Sequence, residues 1–213
     1  MSYQTEEEQV EKIRELWNRH GIPLLTGVAI ALVGVFGWQG WTNYQENKAA
    51  NASALYQNML ETVLAGESEE ARTRGAELAE QIRSEYAGTR YAQFAALMQA
   101  RLAVEAGDME SAEAALREVI DKAGDDTLQE VARQRLARVL ADQERGEEGL
   151  ELFSGEVNGA LLAGREEVRG DLLLGLGRVD EARQAYLAAI EAIADPRDRP
   201  QLQLKLDDLA EEA

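Results

Sequence analysis

The chain has no cysteine, a single histidine and three prolines in 213 residues. Without cysteine there is no disulfide framework, no thiol nucleophile and no thiolate metal site. One imidazole, that of His20, leaves little material for general acid–base chemistry or a histidine metal cluster. Prolines stand only at Pro23, Pro196 and Pro200, so nothing in the long middle interrupts a helix. Aromatic residues make up 6%, and β-branched or aromatic runs are scarce beyond residue 45, which argues against sheet. Positive charge is also in the minority. From residue 42 onward 19 Lys and Arg face 35 Asp and Glu, and with no basic patch such a surface repels nucleic acid and anionic lipid.

Ala, Leu, Glu and Arg dominate what remains, all strong helix formers, and 45% of the residues are hydrophobic. The expected fold class is therefore all-α.

The one long apolar run is Ile22 to Trp41, twenty residues without a charge. At about 1.5 Å per residue this helix crosses the roughly 30 Å of a bilayer's hydrocarbon. Pro23 is expected in its first turn, where a missing N–H is tolerated. Trp17 on one side, with Trp38, Trp41 and Tyr44 on the other, suit the two interfacial belts. Lys12, Arg14 and Arg19 precede the run and only Lys48 follows it closely, so the positive-inside rule puts the N-terminus in the cytoplasm. A cleaved signal peptide is the competing reading, because Ala50-Asn51-Ala52 and Ala52-Ser53-Ala54 look like cleavage sites. Against it stand a long leading tail rich in Glu, an apolar run longer than a usual signal core, and the distance from that run to the alanines. Within the run, Gly27, Ala31 and Gly34 share one helical face, at spacings that let another transmembrane helix approach closely.

Beyond the run the sequence repeats itself. Ala100, Gly107, Ala112, Leu116 and Val119 set out a helix, a glycine turn and an alanine-led second helix. Gly170, Gly177, Ala182, Tyr186 and Ala189 copy that spacing. Between them Ala137, Gly149 and Phe153 follow the same plan, with Glu144 where a turn glycine is expected. Ala112, Gly149 and Ala182 stand 37 and 33 residues apart, close to the tetratricopeptide repeat (TPR) period of about 34, so the expected fold is one N-terminal transmembrane helix followed by a TPR-like α-solenoid of helical hairpins. Upstream, Leu55, Met59 and Val63, then Leu78, Ile82 and Tyr86, predict a degenerate first hairpin over 54–64 and 69–86. Pro196 is expected to end the last repeat. Leu202, Leu204, Leu206 and Leu209 predict a terminal helix that closes the stack.

No catalytic constellation emerges. His20 lies at the membrane entry, where it reads as a headgroup-level flank. Adjacent acids such as Glu69-Glu70, Asp125-Asp126, Glu147-Glu148 and Asp207-Asp208 diverge on a helix and find no companion ligands. Gly175-Leu176-Gly177 lacks the preceding strand that a phosphate loop needs. No catalytic, cofactor or metal residue is expected, and the default functional surface is the concave side of the stack, which in solenoids binds segments of other proteins. Arg101 and Arg138 fall at equivalent positions of the inner helices and are the candidate binding residues there, with pairing to neighbouring Glu as the bland alternative.

The tail from Thr5 to Gly21, with Gly27-Val28 and Gly37-Trp38-Gln-Gly-Trp41 after it, resembles the opening of the YfgM family of ancillary Sec-translocon subunits. Tyr56-Gln57-Asn58, Arg135-Leu-Ala-Arg-Val139 and Arg169-Gly-Asp-Leu-Leu-Leu174 resemble that family too, in the same order along the chain. The resemblance implies a single-pass inner-membrane protein beside the SecYEG channel, partnered with a PpiD-type periplasmic chaperone and passing emerging polypeptides onward. It implies also a possible regulatory role for the tail. The domain plan expected from all this is a cytoplasmic tail over 1–21, a transmembrane helix over 22–41, a connector over 42–53 and a periplasmic repeat domain over 54–213. Rival readings are a structural scaffold of an envelope complex and an envelope-stress regulator acting through the tail, where Val10, Ile13 and Trp17 form an amphipathic stripe.

Overall fold

The computed structural model describes residues 3–66, 68–157, 159–193 and 200–211. Among them the regular structure is helical throughout, with no strand. Pro196, expected to end the last repeat, lies outside the described residues.

The first helix, α1 (Tyr3–Leu64), is 62 residues long and contains Pro23. Pro23 is thus not in a first turn: helical residues precede it back to Tyr3, and the carbonyl of Arg19, four residues earlier, loses its backbone donor there. Two compact units divide the chain at Ala50. In the first unit the apolar run stays open to its surroundings, with Ile22 80% and Trp38 72% exposed. Its hydroxyls are turned inward: Thr26 donates to the Ile22 carbonyl at 2.9 Å and Thr42 to the Trp38 carbonyl at 2.7 Å. Such back-bonding satisfies the polar atoms that hydrocarbon would otherwise strand.

In the second unit the end of α1 packs on α2 (Glu69–Glu85) and α3 (Arg90–Glu105). Met59, Leu78, Ala79 and Ile82 form that core with Ala92 and Ala95. There follow α4 (Met109–Lys122), α5 (Asp126–Asp142), α6 (Gly146–Glu151), α7 (Gly159–Gly175), α8 (Val179–Glu191) and α9 (Pro200–Glu211). Side-chain caps start four of them. Ser68 and Thr89 accept from the Ala71 and Ala92 amides, and Asp108 and Asp125 accept from Ser111 and Thr127.

Three hairpin turns have the same construction. The amides of Asp108, Arg145 and Arg178 each donate to a carbonyl five residues back, those of Ala103, Leu140 and Leu173. The residue before each amide is left-handed: Gly107 at φ 77°, Glu144 at φ 62° and Gly177 at φ 75°. Glu144 therefore does the work of the turn glycine that the repeat pattern calls for, at a steric cost to its Cβ.

Past each turn the small residue seats the second helix. Ala112 and Ala182 are fully buried, and Gly149 stands where an added Cβ would lie 3.1 Å from the Ala137 carbonyl oxygen and 3.2 Å from Leu172. That crowding explains glycine in place of alanine. The middle repeat departs from expectation in one respect, for α6 ends at Glu151 and leaves Phe153 beyond it. Phe153 instead packs with Leu150 and Leu152 on Ala137, Val168 and Leu172, and takes the Arg165 guanidinium 5.8 Å from its ring centroid.

Arg165 and Glu130 join α7 to α5 in the interior, 4% and 2% exposed. Arg165 Nε donates to Glu130 Oε1 at 2.9 Å, Nη2 bonds Oε2, and Nη1 donates to the Gly155 carbonyl at 2.8 Å. At the C-terminal end, Leu202 and Leu209 of α9 bury against Leu173, Ala185 and Tyr186, which closes the last hairpin as the leucine pattern predicts.

Candidate binding groove of the repeat domain

Seven residues before each left-handed turn residue stand Ala100, Ala137 and Gly170, all buried. The next residues, Arg101, Arg138 and Asp171, are thereby equivalent positions of α3, α5 and α7. Asp171 is occupied by the fold itself: the Tyr186 hydroxyl donates to it at 2.8 Å and Lys205 Nζ at 2.6 Å. Arg101 and Arg138 line a single groove of about 450 Å³ between α3 and α5.

The floor of this groove is apolar, made of Ala100, Leu116 and Val139, none more than 4% exposed, with Val104 at its lip. Arg135 is its third guanidinium. One turn beyond Arg101 and Arg138 come Glu105 and Asp142, so the groove carries positive charge at one end and negative charge at the other. Arg101 Nε donates to Glu105 Oε1 at 2.7 Å. Arg135 and Arg138 make no hydrogen bond or ion pair among the described residues. Although Arg135 keeps contact with solvent, partial desolvation and then the charges of Arg138 and Arg101 hold its guanidinium below the ordinary arginine range. It remains protonated at any physiological pH. Tyr56 of α1 feels the same charge: burial pushes its phenol up and Arg135 partly opposes this. Tyr56 in turn belongs to an aromatic cluster with Tyr91 and Phe94, ring centroids 5.8 and 5.9 Å away.

Several arginines elsewhere in the domain are instead paired with acids, although Arg183 bonds only the Leu209 carbonyl and Arg72 makes no hydrogen bond or ion pair among the described residues. Arg145 bonds Glu113 and Glu148 at 2.6 Å each, Arg117 reaches the same two acids, and Arg178 bonds Glu181 at 2.6 Å. Hydrogen bonds from Arg145 hold the Glu113 and Glu148 carboxyls below the usual carboxylate range. Sequence reasoning finds Arg101 and Arg138 but overlooks Arg135, whose signal is its position three residues before Arg138 on one helical face. It overlooks the Glu130–Arg165 pair as well, since 35 residues separate the partners and neither sits in a motif.

In the first unit, Gly27, Ala31 and Gly34 are exposed, and a Cβ built on either glycine meets nothing within 4 Å. His20 is also exposed, and among the described residues no group of three or more His, Cys, Asp or Glu side chains is arranged to hold a metal ion.

Repeated hairpins with left-handed turns, a closing helix and one helix long and apolar enough to cross a membrane define a TPR-like protein with a single N-terminal membrane segment. Residues 14–211 match the family model of the tetratricopeptide repeat-like domain. Over 211 residues, 98% of each chain, the sequence is 28% identical to a protein of Escherichia coli named ancillary SecYEG translocon subunit. Proteins of the same name in Aggregatibacter actinomycetemcomitans and Haemophilus influenzae are 30% identical over 98% of this chain and 29% over 87%, covering 100% and 92% of the relatives. The chain belongs to the YfgM family, whose members carry that name.

Proposed function

We propose that this chain is a non-enzymatic, single-pass membrane adaptor at the Sec translocon. Its repeat domain binds a partner chaperone of the PpiD type, emerging secretory proteins, or both, and so helps their passage into the periplasm. The observation that carries this reading is likeness to ancillary SecYEG translocon subunits over 98% of this chain and 98–100% of those relatives. Residues 1–21 form the cytoplasmic tail, 22–41 cross the inner membrane, 42–53 connect, and 54–213 form the periplasmic domain. Lys12, Arg14 and Arg19 before the apolar run support that orientation. Gly27, Ala31 and Gly34 offer a close-approach face to a neighbouring transmembrane helix, and Arg101 and Arg138 belong to the protein-binding face of the repeats. Confinement beside the channel raises effective concentration, so weak contacts in the repeat domain suffice.

The test is purification of the full chain from solubilised membranes, combined with a photocrosslinking residue at Val104 during active export. Recovery of SecYEG, with crosslinks to nascent secretory chains or to an anchored chaperone, is expected. Crosslinks confined to folded subunits of some other envelope assembly, without SecYEG, would overturn the adaptor reading in favour of a scaffold.

A further inference from the structure

If the repeat domain binds protein, as proposed above, the groove between α3 and α5 decides what chemistry it accepts. The chain carries 40 acids against 22 Lys and Arg, so acids are in ample supply for every arginine. Even so, Arg135 and Arg138, like Arg72 and Arg183, have no acid partner among the described residues while Arg117, Arg145, Arg165 and Arg178 have theirs, and of these unpaired arginines Arg135 and Arg138 line one groove. Arg135 has no acid three or four residues away on its helix, and Asp142 follows Arg138 by four residues just as Glu105 follows Arg101. Arg101 closes its pair and Arg138 does not.

Three guanidinia around one groove repel one another, with only that of Arg101 paired to an acid, and that of Arg135 is partly desolvated. Their mutual repulsion opposes folding rather than favouring it. A carboxylate supplied from outside meets planar donors with free N–H groups, which bind carboxylate bidentately. Glu105 and Asp142 repel that carboxylate at the far end and fix where along the groove it settles.

We infer that the groove binds an extended segment of another protein bearing carboxylate side chains beside apolar ones. The carboxylates meet Arg135 and Arg138, and the apolar side chains lie over Val104, Leu116 and Val139. Net charge sharpens this assignment. At a formal charge of −18 the chain as a whole repels an acidic peptide, so only a local feature makes one bind better than its neutral counterpart.

The experiment uses the full chain in detergent micelles and two fluorescein-labelled peptides of about eight residues, one alternating Leu and Glu, the other Leu and Gln. Fluorescence anisotropy should show the Glu peptide binding about tenfold more tightly, as expected for a charge-assisted contact. The Arg135→Gln, Arg138→Gln double variant should lose that preference with its circular dichroism unchanged, Arg135→Lys, Arg138→Lys should keep part of it, and Arg74→Gln on α2 should keep all of it. Equal affinity of the two peptides for the native chain, failure of both to bind, or a preference that survives the double Gln variant would each overturn the inference. Co-purification of the same protein with SecYEG separates the two readings: if it persists while the peptides go undistinguished, the adaptor stands and the acidic ligand falls.

Discussion

Tyr186 lays its ring against the backbone of Gly170, where a methyl group would overlap the ring carbons. The ring is 1% exposed and its hydroxyl is tied to Asp171, so it has no room to swing aside. In the repeat containing Ala100 the equivalent large residue is the smaller Leu116, and no such conflict arises. Gly170→Ala is therefore expected to destabilise the domain by about 1–3 kcal/mol in urea denaturation, despite alanine's better helix propensity. Adding Tyr186→Leu, which recreates the Ala100–Leu116 combination, should yield a double variant more stable than the summed single effects.

Glu144 holds φ 62° at a turn where the other two repeats use glycine. Its exposed side chain makes no hydrogen bond or ion pair among the described residues that would offset the strain of its Cβ. Glu144→Gly should raise the midpoint of thermal unfolding and stabilise by about 1 kcal/mol, less the entropy that glycine adds to the unfolded chain. A drop in stability would show that the Glu144 carboxylate contributes more than its backbone costs.

How far the fold was legible follows from which forces are local. Ala112, Gly149 and Ala182 announce the hairpins because close helix approach admits only small side chains, and that constraint is written at each position separately. The left-handed turns are equally local, and only Glu144 disguises one. The run from Ile22 to Trp41 declares itself by length, yet Pro23 reads as a helix start because proline favours a first turn, although the Val10, Ile13 and Trp17 stripe already carries helical spacing into the tail and α1 begins at Tyr3. Repeat phasing puts Arg101 and Arg138 at equivalent positions, and both line the groove. Arg135 shares a helical face with Arg138, but repeat phasing does not single it out, and its lack of a partner is a property of neighbours brought together by folding. Glu130 and Arg165 were invisible for the same reason.

The Glu130–Arg165 pair makes a prediction that depends on pH. Burial alone would push the Glu130 carboxyl up, but hydrogen bonds from Arg165 and Gln134 outweigh it and leave the carboxyl below its ordinary value. A carboxyl lowered by folding stabilises above its unfolded pKa, and that stabilisation is lost as pH falls through the folded one. Arg165→Met leaves Glu130 with only Gln134, at 3.0 Å, and the more distant Arg133, at 3.7 Å, and about 3 kcal/mol of stability should go at neutral pH. Its pH dependence should also invert, because a carboxyl stranded in the interior has a raised pKa and costs stability as pH rises past the ordinary carboxylate range. Glu130→Leu with Arg165→Met should recover most of the loss. Urea titrations across acid and neutral pH check all three variants.

Orientation is open to direct measurement because the chain contains no cysteine of its own. Ser2→Cys and Ser154→Cys each create a unique thiol. In intact cells of a Gram-negative host a membrane-impermeant maleimide that passes the outer membrane should label position 154 and spare position 2 until the inner membrane is opened. The reverse pattern would refute the positive-inside assignment drawn from Lys12, Arg14 and Arg19.

Gly27 and Gly34 meet nothing within 4 Å at their Cβ positions, and every residue from Ile22 to Trp41 is open to its surroundings. Small residues at a helix surface gain nothing from lipid, which packs as well on leucine. Another helix does gain, because the backbones come closer and more atoms touch. Gly27→Leu with Gly34→Leu lengthens no polar gap and keeps the run apolar, so insertion should be unchanged and the protein should still resist alkaline extraction from membranes. What should fall is the yield of SecYEG recovered with the solubilised chain, while a control pair, Val28→Leu with Val35→Leu, leaves it intact. If the glycine variant recovers as much SecYEG as the native chain, the segment is a plain tether and the address lies in the repeat domain.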